Sequence, residues 1–191
     1  MQFFKIDPEQ SEKAQAAAAA NGVELPEVMK RQLANQFHML MIVKGFAALA
    51  DHFGPEVWPV ANQAMYDLGH QIGPELYAML GVSTDDARGL TRSVDVINAC
   101  LDIVGEEVVF TEAEVVRREH SCLMSSTLKA LDGHHYCGMY QMTFRGALHA
   151  VTPGGKGGCN NLSCTRSRGD AYCELKVWTN KDETKIPAGR P

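Results

Sequence analysis

Lys and Arg are nowhere concentrated in this 191-residue chain, and 18 of them against 23 Asp and Glu leave a net charge of −5. A nucleic-acid surface needs a basic stripe to displace phosphate counterions, so that class is excluded. The chain also lacks any window of about 18 unbroken apolar residues, the minimum for a membrane span. Its longest apolar stretch, "FHMLMIVKGFAALADHF", is interrupted by His38, Lys44, Asp51 and His52 and reads as a core helix. The opening "MQFFKIDPEQSEKAQAAAAANG" has no basic segment ahead of its alanine run and is broken by Lys5, Asp7 and Glu9, unlike an export signal. A cytoplasmic protein with reduced thiols is therefore expected. No C-x-x-C is present, so a standard zinc ribbon is excluded. "TPGGKGG" lacks the Gly-Lys-Ser/Thr ending of a phosphate loop and follows a helix instead of a strand. There is no internal repeat.

What is present is an ordinary globular composition, 45% hydrophobic and 21% charged, enough for one domain with a sizeable core. Up to about residue 104 the chain reads as helix. An alanine-rich helix closes at Asn21-Gly22. Pro26 opens a second, carrying Phe37, Leu40, Met41, Phe46 and Leu49 at helical spacing. Pro55 opens a third, with Val57, Val60, Ala64, Leu68 and Ile72 on one face, and Pro74 is expected to kink or split it. Ser83 or Thr84 is expected to cap a fourth, on whose apolar side Cys100 should be buried. Beyond Glu106 come two β-rich runs, Val108 to Thr111 and Val115 to Arg118. A short helix, "SCLMSSTLKALDG", and a longer one, "HHYCGMYQMTFRGALHAV", follow. After the flexible loop Thr152–Gly158, two strands flank Gly169-Asp170. Three segments are expected: N-terminal helices 1–54, a ligand- and metal-binding domain 55–178, and a polar tail 179–191.

Five of the six cysteines, Cys122, Cys137, Cys159, Cys164 and Cys173, lie in the second half. "CTRSRGDAYCEL" reads as a hairpin that sets Cys164 and Cys173 on adjacent strands, close together on one face. Thiols so placed oxidise or grip a soft cation, and a reducing compartment favours the cation. Zinc asks for four nitrogen or sulfur ligands. Cys137 is the best third ligand and Cys159 the best fourth, with His120, Cys122, His134 and His135 in reserve. Spacing alone leaves open a set of unrelated buried thiols.

"AMYDLGHQIGPELYAMLG", "YCGMYQMTFRGALHAV" and "CTRSRGDAYCELKV" together resemble the 4-vinyl reductase domain superfamily. It includes the effector-sensing domains of phenol-responsive transcriptional activators and is related in fold to TRAPP transport-complex subunits. Tyr66, Gly69 and Gly73 match its first helix, Cys137 and Gly146 its second, and Cys164, Gly169, Asp170 and Cys173 its hairpin. The resemblance implies an α+β domain, a helical N-terminal half packed on an antiparallel sheet with a C-terminal metal-binding hairpin. It also implies that Cys137, Cys164 and Cys173 hold a structural zinc beside a ligand pocket. Asn161 stands where the pattern has an acid, which makes Cys159 the economical fourth ligand.

A related group, similar to 2-amino-thiazoline-4-carboxylate hydrolase, carries a polar or cysteine-bearing segment where this chain reads "VVRREHSC". That implies His120 and Cys122 as ligand contacts. The expected function is a zinc-binding, small-molecule-binding module acting as a stand-alone sensor, carrier or enzyme subunit. A metal-dependent hydrolase of cyclic C=N or amide-like substrates and an iron–sulfur or thiol redox protein are the alternatives. Expected partners are an apolar or aromatic small molecule, no nucleic acid and no membrane, with a homodimer left open.

Overall fold

The computed structural model of the chain describes residues 7–22, 26–122, 128, 134–161 and 166–179. Helix α1 (Pro8–Ala20) starts with Asp7 accepting the Gln10 amide at 3.0 Å, and it buries no side chain. Alanine supplies helix propensity there without an apolar face to dock. Helix α2 (Glu27–Phe53) ends at Gly54, whose φ of +85° suits only glycine. Helix α3 (Val57–Leu80) closes at a left-handed Gly81. Pro74 does not divide it. Pro74 and His70, whose carbonyl the proline leaves without its helical donor, are both on the exposed side, where water can serve that group. Helix α4 (Ala87–Cys100) is capped by Asp86, which accepts the Gly89 amide at 2.8 Å, in place of the expected Ser83 or Thr84.

Strands β1 (Val104–Phe110) and β2 (Glu114–Ser121) are longer than the two β-rich runs. Helix α5 (His134–Val151) follows, then β3 (Gly158–Asn161) and β4 (Cys173–Trp178). The sheet is antiparallel in the order β1-β2-β4-β3. The architecture is α+β, as expected. The short helix read over 121–133 lies outside the described residues apart from Leu128, which is helical and buried.

Two clusters form the core. One joins Tyr77, Leu90, Val94, Ala147 and Leu148 to Leu175 and Val177 of β4, fixing α3, α4 and α5 over the sheet. The other joins Met39 and Val43 of α2 to Ala61, Leu128, Tyr136 and Met139. Between them α3 and α5 cross backbone to backbone. A Cβ on Gly69 would overlap the Thr143 carbonyl, one on Gly146 the Tyr66 carbonyl, and one on Gly73 would stand 2.8 Å from the Ala147 backbone.

Several helix faces differ from the sequence reading. Helix α2 is not a core helix, because only Met39 and Val43 are fully buried while Phe37, Leu40, Met41 and Leu49 are exposed. On α3, Val60 is exposed and the buried positions are Ala61, Gly69, Gly73, Leu76 and Tyr77. Close approach to α5 selects small residues there, so the buried face carries a weak hydrophobic signal. Cys100 is exposed at the end of α4, whose buried side instead carries Leu90, Val94 and Asn98. The glycine-rich loop after α5 is an ordered turn. Thr152 donates to Leu148 O at 2.7 Å and accepts the Gly157 amide at 2.9 Å.

Candidate functional site

An apolar cavity of about 280 Å³ lies among the four helices that follow α1. Ile42 of α2 closes one side, Leu68 and Ile72 of α3 another, and Ile97 of α4 reaches in from the third. Tyr140 and Phe144 of α5 complete it. Two polar groups on its walls are already engaged. Thr143 donates to Met139 O at 3.2 Å, and the Tyr136 hydroxyl donates to the Val43 carbonyl. The Tyr140 hydroxyl has no hydrogen-bond partner among the described residues. Burial, and then the thiols of Cys122 and Cys137, raise its pKa, so it stays protonated and able to donate. Leu68 and Ile72 are where the three- and four-residue spacing on α3 led. That periodicity does not distinguish a face packed on side chains from one lining a cavity.

Next to Tyr140 a second feature gathers thiols. The Cys137 sulfur is 3.3 Å from the Ser167 hydroxyl, and Cys173 accepts the Arg166 amide at 3.3 Å. Both cysteines thus meet one turn, Arg166–Arg168. Cys122, half-buried, packs against the same core cluster as Cys137. Burial raises the Cys137 thiol pKa, with the Ser167 hydroxyl and Arg168 acting against it. Burial likewise pushes Cys173 up to about 11, against the Arg166 amide.

Glu119, directly across from Cys173 in the sheet, also has a pKa raised by burial, and it accepts from Asn98 at 2.8 Å. It is the site residue that sequence reasoning missed. The alternation Val115, Arg117, Glu119 along β2 was the available signal, since it carries every second side chain to the helix-covered face.

The remaining candidates separate. Among the described residues β3 (Gly158–Asn161) pairs antiparallel with β4, and between them residues 166–168 form a 3₁₀ turn. Cys164 and the side chains of Cys159 and His134 lie outside the described residues. The register sets Cys159 across from Val177, four residues along β4 from Cys173, so the backbone does not bring those two together. His120 is exposed, 3.0 Å from Glu106, and His135 stacks on Trp58 at 4.5 Å. Neither His120 nor Cys122 lines the cavity. Among the described residues no three Cys, His, Asp or Glu side chains converge as a metal site requires.

Helices layered on an antiparallel sheet define a class of fold, and solved structures share it. The fold matches a trafficking protein particle complex subunit 3 from Naegleria fowleri, solved covalently bound to palmitic acid, with TM-score 0.55 and 14% identity over 81% of this chain and 98% of that one. It also matches the phenol-responsive sensory domain of the transcription activator PoxR, solved with phenol, with TM-score 0.50 and 14% identity over 72% of each chain. At these identities the likeness is one of fold. No family model matches the chain, and no curated protein does.

Proposed function

We propose that this protein is a small-molecule-binding module that takes an apolar or aromatic ligand between α2, α3, α4 and α5, with the Tyr140 hydroxyl as its polar contact. The cavity carries the reading. An enclosed apolar space of roughly 150 Å³ holds a benzene ring, and 280 Å³ leaves room for a substituted ring or a modest acyl chain. Two proteins of the same fold were solved with phenol and with palmitic acid, which supports the ligand class. A sensor, a carrier or an enzyme subunit would each use such a cavity. His120, turned toward Glu106, gives the hydrolase reading little support.

Thermal-shift measurements with substituted phenols and medium-chain fatty acids test this. A ligand at a hundred times its Kd contributes about 2.7 kcal/mol, or roughly 5–10 °C in a domain of this size. Ile72→Trp should fill the cavity and abolish the shift while raising the ligand-free Tm. If no compound shifts Tm in the parent, or the same shift persists in Ile72→Trp, the cavity is not the binding site.

A second reading adds zinc as a structural ion beside this cavity. What favours it is that Cys137 and Cys173 meet the same turn. The described residues supply only part of a tetrahedral set, so Cys164 and a fourth ligand would have to come from segments outside them. Zinc there would hold α5 to β4 and contribute directly to folding stability. Elemental analysis of the parent and of Cys173→Ser decides it. Near-stoichiometric zinc lost in the variant supports the site, and a metal-free parent with an unchanged Tm after chelation removes it.

A further inference from the structure

One flank of α2 beside its buried face carries a seam of its own. Lys30, Leu33, Phe37, Leu40, Lys44, Ala47 and Asp51 follow one another at alternating spacings of three and four, the repeat that keeps one helix edge against another helix. Met41 flanks the seam. Phe37 is 62% exposed, Met41 58% and Leu33 51%, on a helix that fully buries only Met39 and Val43. The exposed apolar run Leu33, Phe37, Leu40 and Met41 along it marks a contact surface. From these observations we propose that α2 pairs antiparallel with α2 of a second copy, about a two-fold axis near Leu40 and Met41.

Charge decides both the occupant and the direction. Lys30, which also pairs with Glu27 one turn back at 2.8 Å, and Asp51 close the two ends of the seam, about 32 Å apart at 1.5 Å per residue. In an antiparallel pair centred near Leu40, each Lys30 meets the partner's Asp51 and each Lys44 lies along the partner's Phe37. A parallel pair sets Lys30, Lys44 and Asp51 each against its own copy. Moving the axis to Phe37 sets Lys30 against Lys44. Only the first arrangement leaves no like charges opposed, and a two-fold axis makes its favourable contact occur twice. A membrane surface suits this face less well. Helices lying on lipid keep charge off their apolar face, whereas here Asp51 and Lys44 stand on the seam itself, in a chain of net charge −5.

The pairing is independent of ligand binding, and sedimentation velocity on the full chain between about 1 and 100 µM tests it. The parent should be a dimer, and Phe37→Glu a monomer with its helical circular dichroism intact. Lys30→Glu and Asp51→Lys should each weaken dimerisation about tenfold, and the double exchange should restore it to within about threefold, as complementary rim charges do. Three results would overturn the proposal. The first is a monomeric parent at about 100 µM, including one whose monomer floats with phosphatidylcholine vesicles. The second is a dimer unaffected by Phe37→Glu. The third is single charge variants whose losses add in the double exchange instead of cancelling.

Discussion

Glu119 leaves β2 with one carboxylate oxygen taken by Asn98, and burial raises its pKa against that hydrogen bond and the nearby charge of Arg117. Its ionised form is penalised in the folded protein, so Glu119→Gln, which keeps an acceptor for Asn98, should stabilise the protein at neutral pH. A gain of about 1 kcal/mol would appear as roughly 2–4 °C in Tm, and the gain should shrink as the pH falls and the parent carboxyl protonates. Cys173 gives a prediction at the other end of the scale. Its folded pKa of about 11 lies above the ordinary value of 9.0, so the folded state holds its proton where the unfolded state has lost it. The stability this confers is complete below pH 9 and is lost as pH rises through about 11. Urea titrations from pH 8 to 11 should show that decline, reduced in Cys173→Ser. At this scale the sequence showed thiols gathered late in the chain. It did not show Glu119, because a strand-end acid reads as solvated until a neighbouring strand is placed beside it.

Elements were easier to read than their faces. Among the described residues the five helices follow from spacing, but Pro74 does not end α3, Asp86 caps α4, and α2 and α3 each turned a different side inward from the one expected. On α3 the reason is physical: its close contact with α5 is made through Gly69, Gly73 and Gly146, which hydrophobic periodicity does not weigh. Gly69→Ala should therefore be strongly destabilising, by about 3 kcal/mol or more, since the new methyl meets backbone that has nowhere to go. Gly138→Ala is the control on α5. Its Cβ would stand 3.9 Å from Asn62 Oδ1, an ordinary contact. That variant should be neutral or gain up to about 1 kcal/mol from helix propensity. Chemical denaturation of the two proteins side by side checks the contrast.

For the whole molecule, the α+β class was legible from the change of texture near residue 104, whereas a cavity is a property of assembly that no single element announces. Its walls are not equally fixed. Helices α3 and α5 are joined backbone to backbone. Helix α2 is attached by Met39, Val43, Phe46 against Trp58 and Tyr136, the Tyr136–Val43 contact and, near its start, Arg31 on Asp102 and Asn35 on the Cys100 carbonyl. The glycine crossing cannot be pried apart, so any widening of this half-open pocket waits on the less tightly held helix. Residence time would then be set by how often α2 lifts. Val43→Ala should shorten it severalfold in stopped-flow displacement, more than it alters equilibrium affinity, because loosening a door speeds entry as well as exit.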